Sequence, residues 1–182
     1  MHETIPLDLT RAEMLAAGLV GLMRQMVNHK HDAYGAEFGN PWGSHVLGAI
    51  GELAVAKWLN MYWHPHVGRY DADDVGPFQI RTSSRVAGDL ILHPRDADAK
   101  PFILVTGVGP RFYICGWCLA AEGKLREYWR DPAGGRPAFF VPARVLHDPR
   151  TLPEPRRGEP GGARGEPDAV HSDGHGAADP PA

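Results

Sequence analysis

The chain is poor in several features that would narrow its role at once. Two cysteines in 182 residues cannot make a disulfide framework. No uninterrupted apolar run approaches the roughly 18 residues that a membrane-spanning helix needs. Met1 is followed by acidic and polar residues rather than a basic and then apolar leader, so a soluble cytoplasmic protein with no membrane partner is expected. An excess of positive charge is also missing. Residues 1–150 hold 16 Lys and Arg against 16 Asp and Glu, so the net charge of −3 comes from the last 32 residues. A neutral body argues against strong non-specific DNA binding, while leaving room for a local basic patch. There is no Walker-type phosphate loop, no nucleophile elbow and no His-Glu-x-x-His zinc motif.

Beyond Thr151 the sequence lacks large aliphatic residues other than Leu152 and Val170, and consists of Pro, Gly, Ala and charge. Such a composition buries too little apolar area to offset the entropy of ordering, which predicts a disordered tail over 151–182. Residues 1–150 then suit a single α/β (α+β) domain, large enough to bury about two-thirds of its unfolded surface.

Thr10-Arg11-Ala12-Glu13 matches a capping box, and Met14, Leu15, Leu19, Leu22, Met23 and Met26 follow at helical spacing, predicting a helix over 11–27. A polar loop over 28–40 leads to a second predicted helix over 45–59, with Ser44 as N-cap. Gly48, Ala49, Gly51, Ala54 and Ala56 make this helix small-sided, so neighbouring backbones can approach it on more than one side. The period then changes. Strands are predicted over 67–70, 78–83, 89–93, 102–106, 112–119 and 139–141, with a hairpin at Gly107-Val108-Gly109-Pro110 and a short helical turn from Pro142 to Leu146. Two helices followed by strands imply a central mixed sheet flanked by helices.

The chemistry gathers around the strand containing Gln79-Ile80-Arg81. Alternation aims Gln79 and Arg81 to one face and Phe78 and Ile80 to the other. Asp71, Asp73 and Asp74 stand at its entrance. On the second helix, at about 100° per residue, Glu52 projects with His45, Gly48, Ala56 and Leu59, opposite Lys57. A carboxylate among such neighbours calls for a metal, a cation or a hydrogen-bond donor. A structural ion pair with an arginine and an exposed glutamate are the two plainer readings. Mg²⁺ favours one or two carboxylates with other oxygens, which Glu52, an aspartate and the Gln79 amide can supply.

In this order of residues, from about Ser44 to Val105, the chain resembles the PD-(D/E)XK nuclease-like superfamily, and is similar to small phage-encoded members. The resemblance implies a restriction-endonuclease-like core and a metal-dependent nuclease hydrolysing DNA phosphodiester bonds. It implies Mg²⁺ or Mn²⁺ held by Glu52, Asp74 and Gln79, with Asp71 as the alternative to Asp74. Arg81, in the position of the family's lysine, would hold the scissile phosphate, and Arg85 would help to bind the backbone. Two departures matter: Gln79 is a neutral ligand, and Arg81 cannot lose a proton near neutral pH. They favour the alternative of a catalytically inactive nuclease-fold domain that binds nucleic acid or protein. A homodimer is among the expected states.

The other candidates are weaker. Cys115-Gly116-Trp117-Cys118 lies in a strand-like run, where residues three apart face opposite ways, so both thiols read as packing residues. A zinc site would need two more ligands; the pairs His29/His31 and His64/His66 lack finger spacing. Trp58, Trp63, Trp117 and Trp129 read as core aromatics before stacking platforms.

Overall fold

The structure is a computed structural model and describes residues 3–28, 41–69, 72–132, 134 and 137–154. The expected loop over 29–40, most of the expected tail, Tyr70 and Asp71 lie outside the described residues.

The chain opens with strand β1 (Ile5–Asp8) and helix α1 (Arg11–Asn28). The capping box forms: the Thr10 amide donates to Glu13 Oε2 at 2.7 Å, and the Glu13 amide donates to Thr10 Oγ1 at 3.2 Å. Helix α2 spans Pro41–Trp58, a turn earlier than predicted. Pro41 opens it, where the missing N–H is not needed, so Ser44 lies inside the helix and is not its N-cap. The expected strand over 67–70 is absent among the described residues. Val67 and Gly68 form a bend instead, with Gly68 at φ +75°, a conformation that glycine adopts without penalty.

Strands β2 (Gln79–Ser83), β3 (Leu90–Leu92), β4 (Pro101–Gly107), β5 (Arg111–Leu119), β6 (Trp129–Arg130) and β7 (Ala138–Val141) follow, with a short helix α3 (Ala120–Gly123). They form two sheets, where the pattern predicted one. The first is mixed, in the order β1-β5-β4-β2, with β2 parallel to β4 and the other pairs antiparallel. The second is antiparallel, in the order β3-β7-β6. The strand at 89–93 does not join the first sheet; it pairs with the strand at 138–141, over a separate apolar core.

Strand β4 separates the two cores. Ile103 and Val105 face Ile50, Ala54, Val55, Phe112 and Ile114 under α2. Phe102 and Leu104 face Leu90, Leu92, Val141 and Leu146 under the second sheet. A strand buried on both faces reads as continuous hydrophobic sequence, as Phe102–Val105 does. A register shift in β5 leaves Cys115 as an extra residue between Gly116 and Ile114, which is a bulge. It resets the alternation, so Cys115 and Cys118 face the same second core rather than opposite faces. Both thiols are buried, and burial, with Glu122 nearby, pushes the Cys118 pKa up to about 12.

Helix α2 is held between α1 and the first sheet by small residues on both sides. Gly21 of α1 abuts the Val46 backbone, and Gly51 of α2 rests on the side chain of Thr82 in β2. A methyl group on Gly51 would fall within 2.9 Å of the Thr82 Cβ and closer still to its hydroxyl, a clash that rotation of Thr82 does not relieve. Gly51→Ala is therefore expected to lower stability by about 1–3 kcal/mol, read from thermal melts. An unchanged melting temperature would mean that α2 does not sit this close to β2.

Candidate functional site

The contact between α1, α2 and the edge strand β2 creates the site. Glu52 is 5% exposed, and its partner is an arginine of α1. Arg24 Nη1 donates to Glu52 Oε1 at 2.5 Å and Nη2 donates to Oε2 at 2.8 Å, a two-pronged pair with good geometry for burial. Arg24 Nε donates to the His66 carbonyl at 2.8 Å, and Trp63 Nε1 donates to Glu52 Oε2 at 3.3 Å. Both carboxylate oxygens are thus engaged. Burial opposes the Arg24 charge, but Glu52, with Asp74 beyond it, raises the guanidinium pKa above its usual value. Of the readings open for Glu52, the structure realises the ion pair. Sequence alone did not single out Arg24, although it is the one cation of α1 beyond the helix's first residue.

Asp74 stands just before β2 and turns back onto it, accepting the Ile80 amide at Oδ2, 2.8 Å away. Its pKa is pushed up to about 6, first by burial and then by the Glu52 charge, against the pull of the Ile80 amide, Arg81 and Arg24. Glu52 and Asp74 are therefore electrostatic neighbours, as the motif order predicts. Asp73 turns elsewhere: its carboxylate takes Lys100 Nζ at 2.5 and 2.6 Å and the Gln79 side-chain amide at 2.9 Å. That bond orients Gln79. Arg81 lies over the Phe102 ring, 4.8 Å from its centroid, and reaches Asp96 at 3.3 Å. Asp96, Lys100 and Asp73 form an outer ring of support that the sequence pattern did not indicate.

Asp74, Gln79 and Arg81 line one cavity of about 330 Å³, near the lower end for ligand sites, together with Arg24, Arg69, His45 and His66. Burial lowers the His45 pKa, helped by Arg24, and lowers that of His66, helped by His64 and the nearby arginines. Both imidazoles are then neutral at physiological pH, which leaves guanidinium groups as the cations of the cavity. Arg85 is exposed on the loop after β2 and does not line it. Among the described residues no three His, Cys, Asp or Glu side chains converge as a metal site, and no helix is long and apolar enough to cross a membrane. No family model, curated protein or solved structure matches the chain.

The Asp74 shift has a definite consequence for stability. Its folded pKa of about 6 lies above the ordinary 3.8, so between these values the folded chain retains a proton that the unfolded chain has lost. Stability accordingly falls as pH rises through that window, and above it the ionised carboxylate costs up to about 3 kcal/mol. Asp74→Asn keeps an acceptor for Ile80 and removes the charge. Its melting temperature is expected to exceed that of the wild type at pH of about 7.5, with the difference gone by about pH 4. Equal melting temperatures across the range would mean that Asp74 is not in a desolvated, Glu52-facing position.

The Arg24–Glu52 pair has the opposite effect. Glu52→Ala leaves a guanidinium buried without its partner and is expected to cost about 3–5 kcal/mol. Arg24→Met with Glu52→Leu should recover most of that loss in chemical denaturation. Failure of the double variant to recover would mean that the pair is not isolated by burial.

Proposed function

We propose that the protein engages the phosphodiester backbone of nucleic acid, DNA above all, in the cavity lined by Arg24, Arg69 and Arg81, as a domain related to the PD-(D/E)XK nucleases. One observation carries this reading. The helix acid, the strand aspartate, the polar residue and the basic residue occur in the family's order, and the last three line a single polar cavity beside the first. Guanidinium groups suit phosphate oxygens because their donors match them in pairs. The Asp74 charge, which would repel a phosphate, is already disfavoured there.

The Glu52 environment favours binding over hydrolysis. A divalent ion of the family type would need Glu52, and both its oxygens are held by Arg24 and Trp63. As arranged, only Asp74 and Gln79 remain as oxygen ligands, a weak set for Mg²⁺ or Mn²⁺. The site therefore does not fit the ion without rearrangement, and Arg24 supplies the positive charge that an ion would bring to Glu52. Metal-dependent DNA hydrolysis is the second reading. It is favoured by one fact: Asp74 is a buried carboxylate whose ionisation is opposed by burial and by a neighbouring carboxylate, which is what a divalent cation relieves.

A single substitution separates the two. In the binding reading, Asp74→Asn removes a repelling charge, so affinity for a labelled DNA oligonucleotide should rise several-fold at neutral pH, measured by fluorescence anisotropy. Wild-type binding should weaken as pH rises through about 6. Arg81→Ala should weaken binding about tenfold or more. In the hydrolytic reading, wild type nicks plasmid DNA with Mn²⁺ and Asp74→Asn does not. No binding to DNA or RNA at low salt, together with no cleavage, would reject both readings.

A further inference from the structure

Helix α1 carries a second surface, on the side away from the cavity. Its inner face meets α2 through Ala17, Gly21 and Arg24. Its outer face is apolar and in water: Leu15 is 67% exposed, Leu19 54%, Leu22 40%, Met23 54% and Met26 61%. These side chains leave roughly 500 Å² of apolar surface, in the upper part of the range for the largest patch on a monomer, a patch that is often functional. Leu15, Leu19, Leu22 and Met26 recur at alternating spacings of four, three and four, the seam that packs against another helix.

We propose that this seam is the interface of a homodimer, in which α1 of one subunit lies antiparallel to α1 of a second copy across a two-fold axis between Leu19 and Leu22. The register follows from self-complementarity. Residues whose numbers mirror about that axis meet, so Leu15 faces Met26 of the partner subunit and Leu19 faces Leu22 of the partner subunit. Each contact is repeated by symmetry, as an isologous interface requires.

Electrostatics and area agree with this occupant. Of the charged residues of α1, only Arg11, exposed at the helix's first position, lies beside the seam. Glu13 is turned to Lys57 at 2.9 Å and Arg24 to Glu52 at 2.5 Å, and antiparallel helix dipoles attract. Two copies would bury about 1,000 Å² together, the lower limit for a specific interface, so the dimer is expected to be reversible and micromolar. A partner protein with a strongly charged groove is a poorer match, since the face offers only Arg11, at its end, to pair.

The test is analytical ultracentrifugation of the full chain from about 1 to about 200 µM, the range that brackets a weak interface. Wild type should move from monomer to dimer with concentration. Leu19→Glu alone and Leu22→Lys alone should each stay monomeric, with circular dichroism and melting temperature close to wild type because both positions are exposed. An equimolar mixture of the two should dimerise again, since position 19 of one subunit faces position 22 of the other. Wild type that remains monomeric over the whole range overturns the proposal, and so does a mixture that fails to associate while wild type dimerises.

Discussion

The site depends on one buried ion pair. Arg24 and Glu52 join α1 to α2 in a region where neither group can be well solvated, and each makes the other tolerable. The pair is extended by Trp63 on the carboxylate and by the His66 carbonyl on the guanidinium, so the segment leaving α2 is tied into it as well. The other contacts of α1 to the body are Met14 in the first core, the close approach of Ala17 and Gly21 to α2, and the link from Glu13 to Lys57. One wall of the cavity is thus positioned by electrostatics where most helix contacts rely on interlocking apolar side chains.

Asp74 supplies the opposing strain. Helix and strand place it beside a carboxylate already committed to Arg24, and burial raises its pKa to about 6. Nothing in the packing of β2 needs a charge there; an asparagine would accept the Ile80 amide equally well. A charged group held at a cost to folding marks this end of β2 as more than packing. Gln79 supports the same view. Its amide is fixed by Asp73, which is fixed in turn by Lys100, and such backing is more than a surface glutamine needs.

Local sequence pattern predicted the strands well because β4 and β5 are long and apolar and β2 alternates. It also placed Gln79 and Arg81 on a common face. What it missed was non-local. Strand β1 is four residues whose partners lie more than a hundred positions away, with Asp8 paired to Arg111, and no period is visible in so short a run. The bulge at Cys115 reversed the expected facing of the two thiols, because alternation assumes an unbroken ladder. The need of Glu52 for a partner was legible from its neighbours on the helix. The identity of that partner was not, since ten of the twelve arginines in the first 150 residues lie outside the two helices, and only the crossing of α1 over α2 selects Arg24.

The same crossing decides which side of α1 carries its apolar period. Helical spacing of Leu15, Leu19, Leu22 and Met26 ordinarily marks the side of a helix that faces a core. Here the inner side must come close to α2, and Gly21 against the Val46 backbone leaves no room for large side chains. The bulky residues are consequently on the outside. Met14 anchors α1 in the first core and Arg24 ties it to Glu52, so the contacts that place this wall of the cavity all lie on the inner side of the helix, and its apolar period plays no part in building the site.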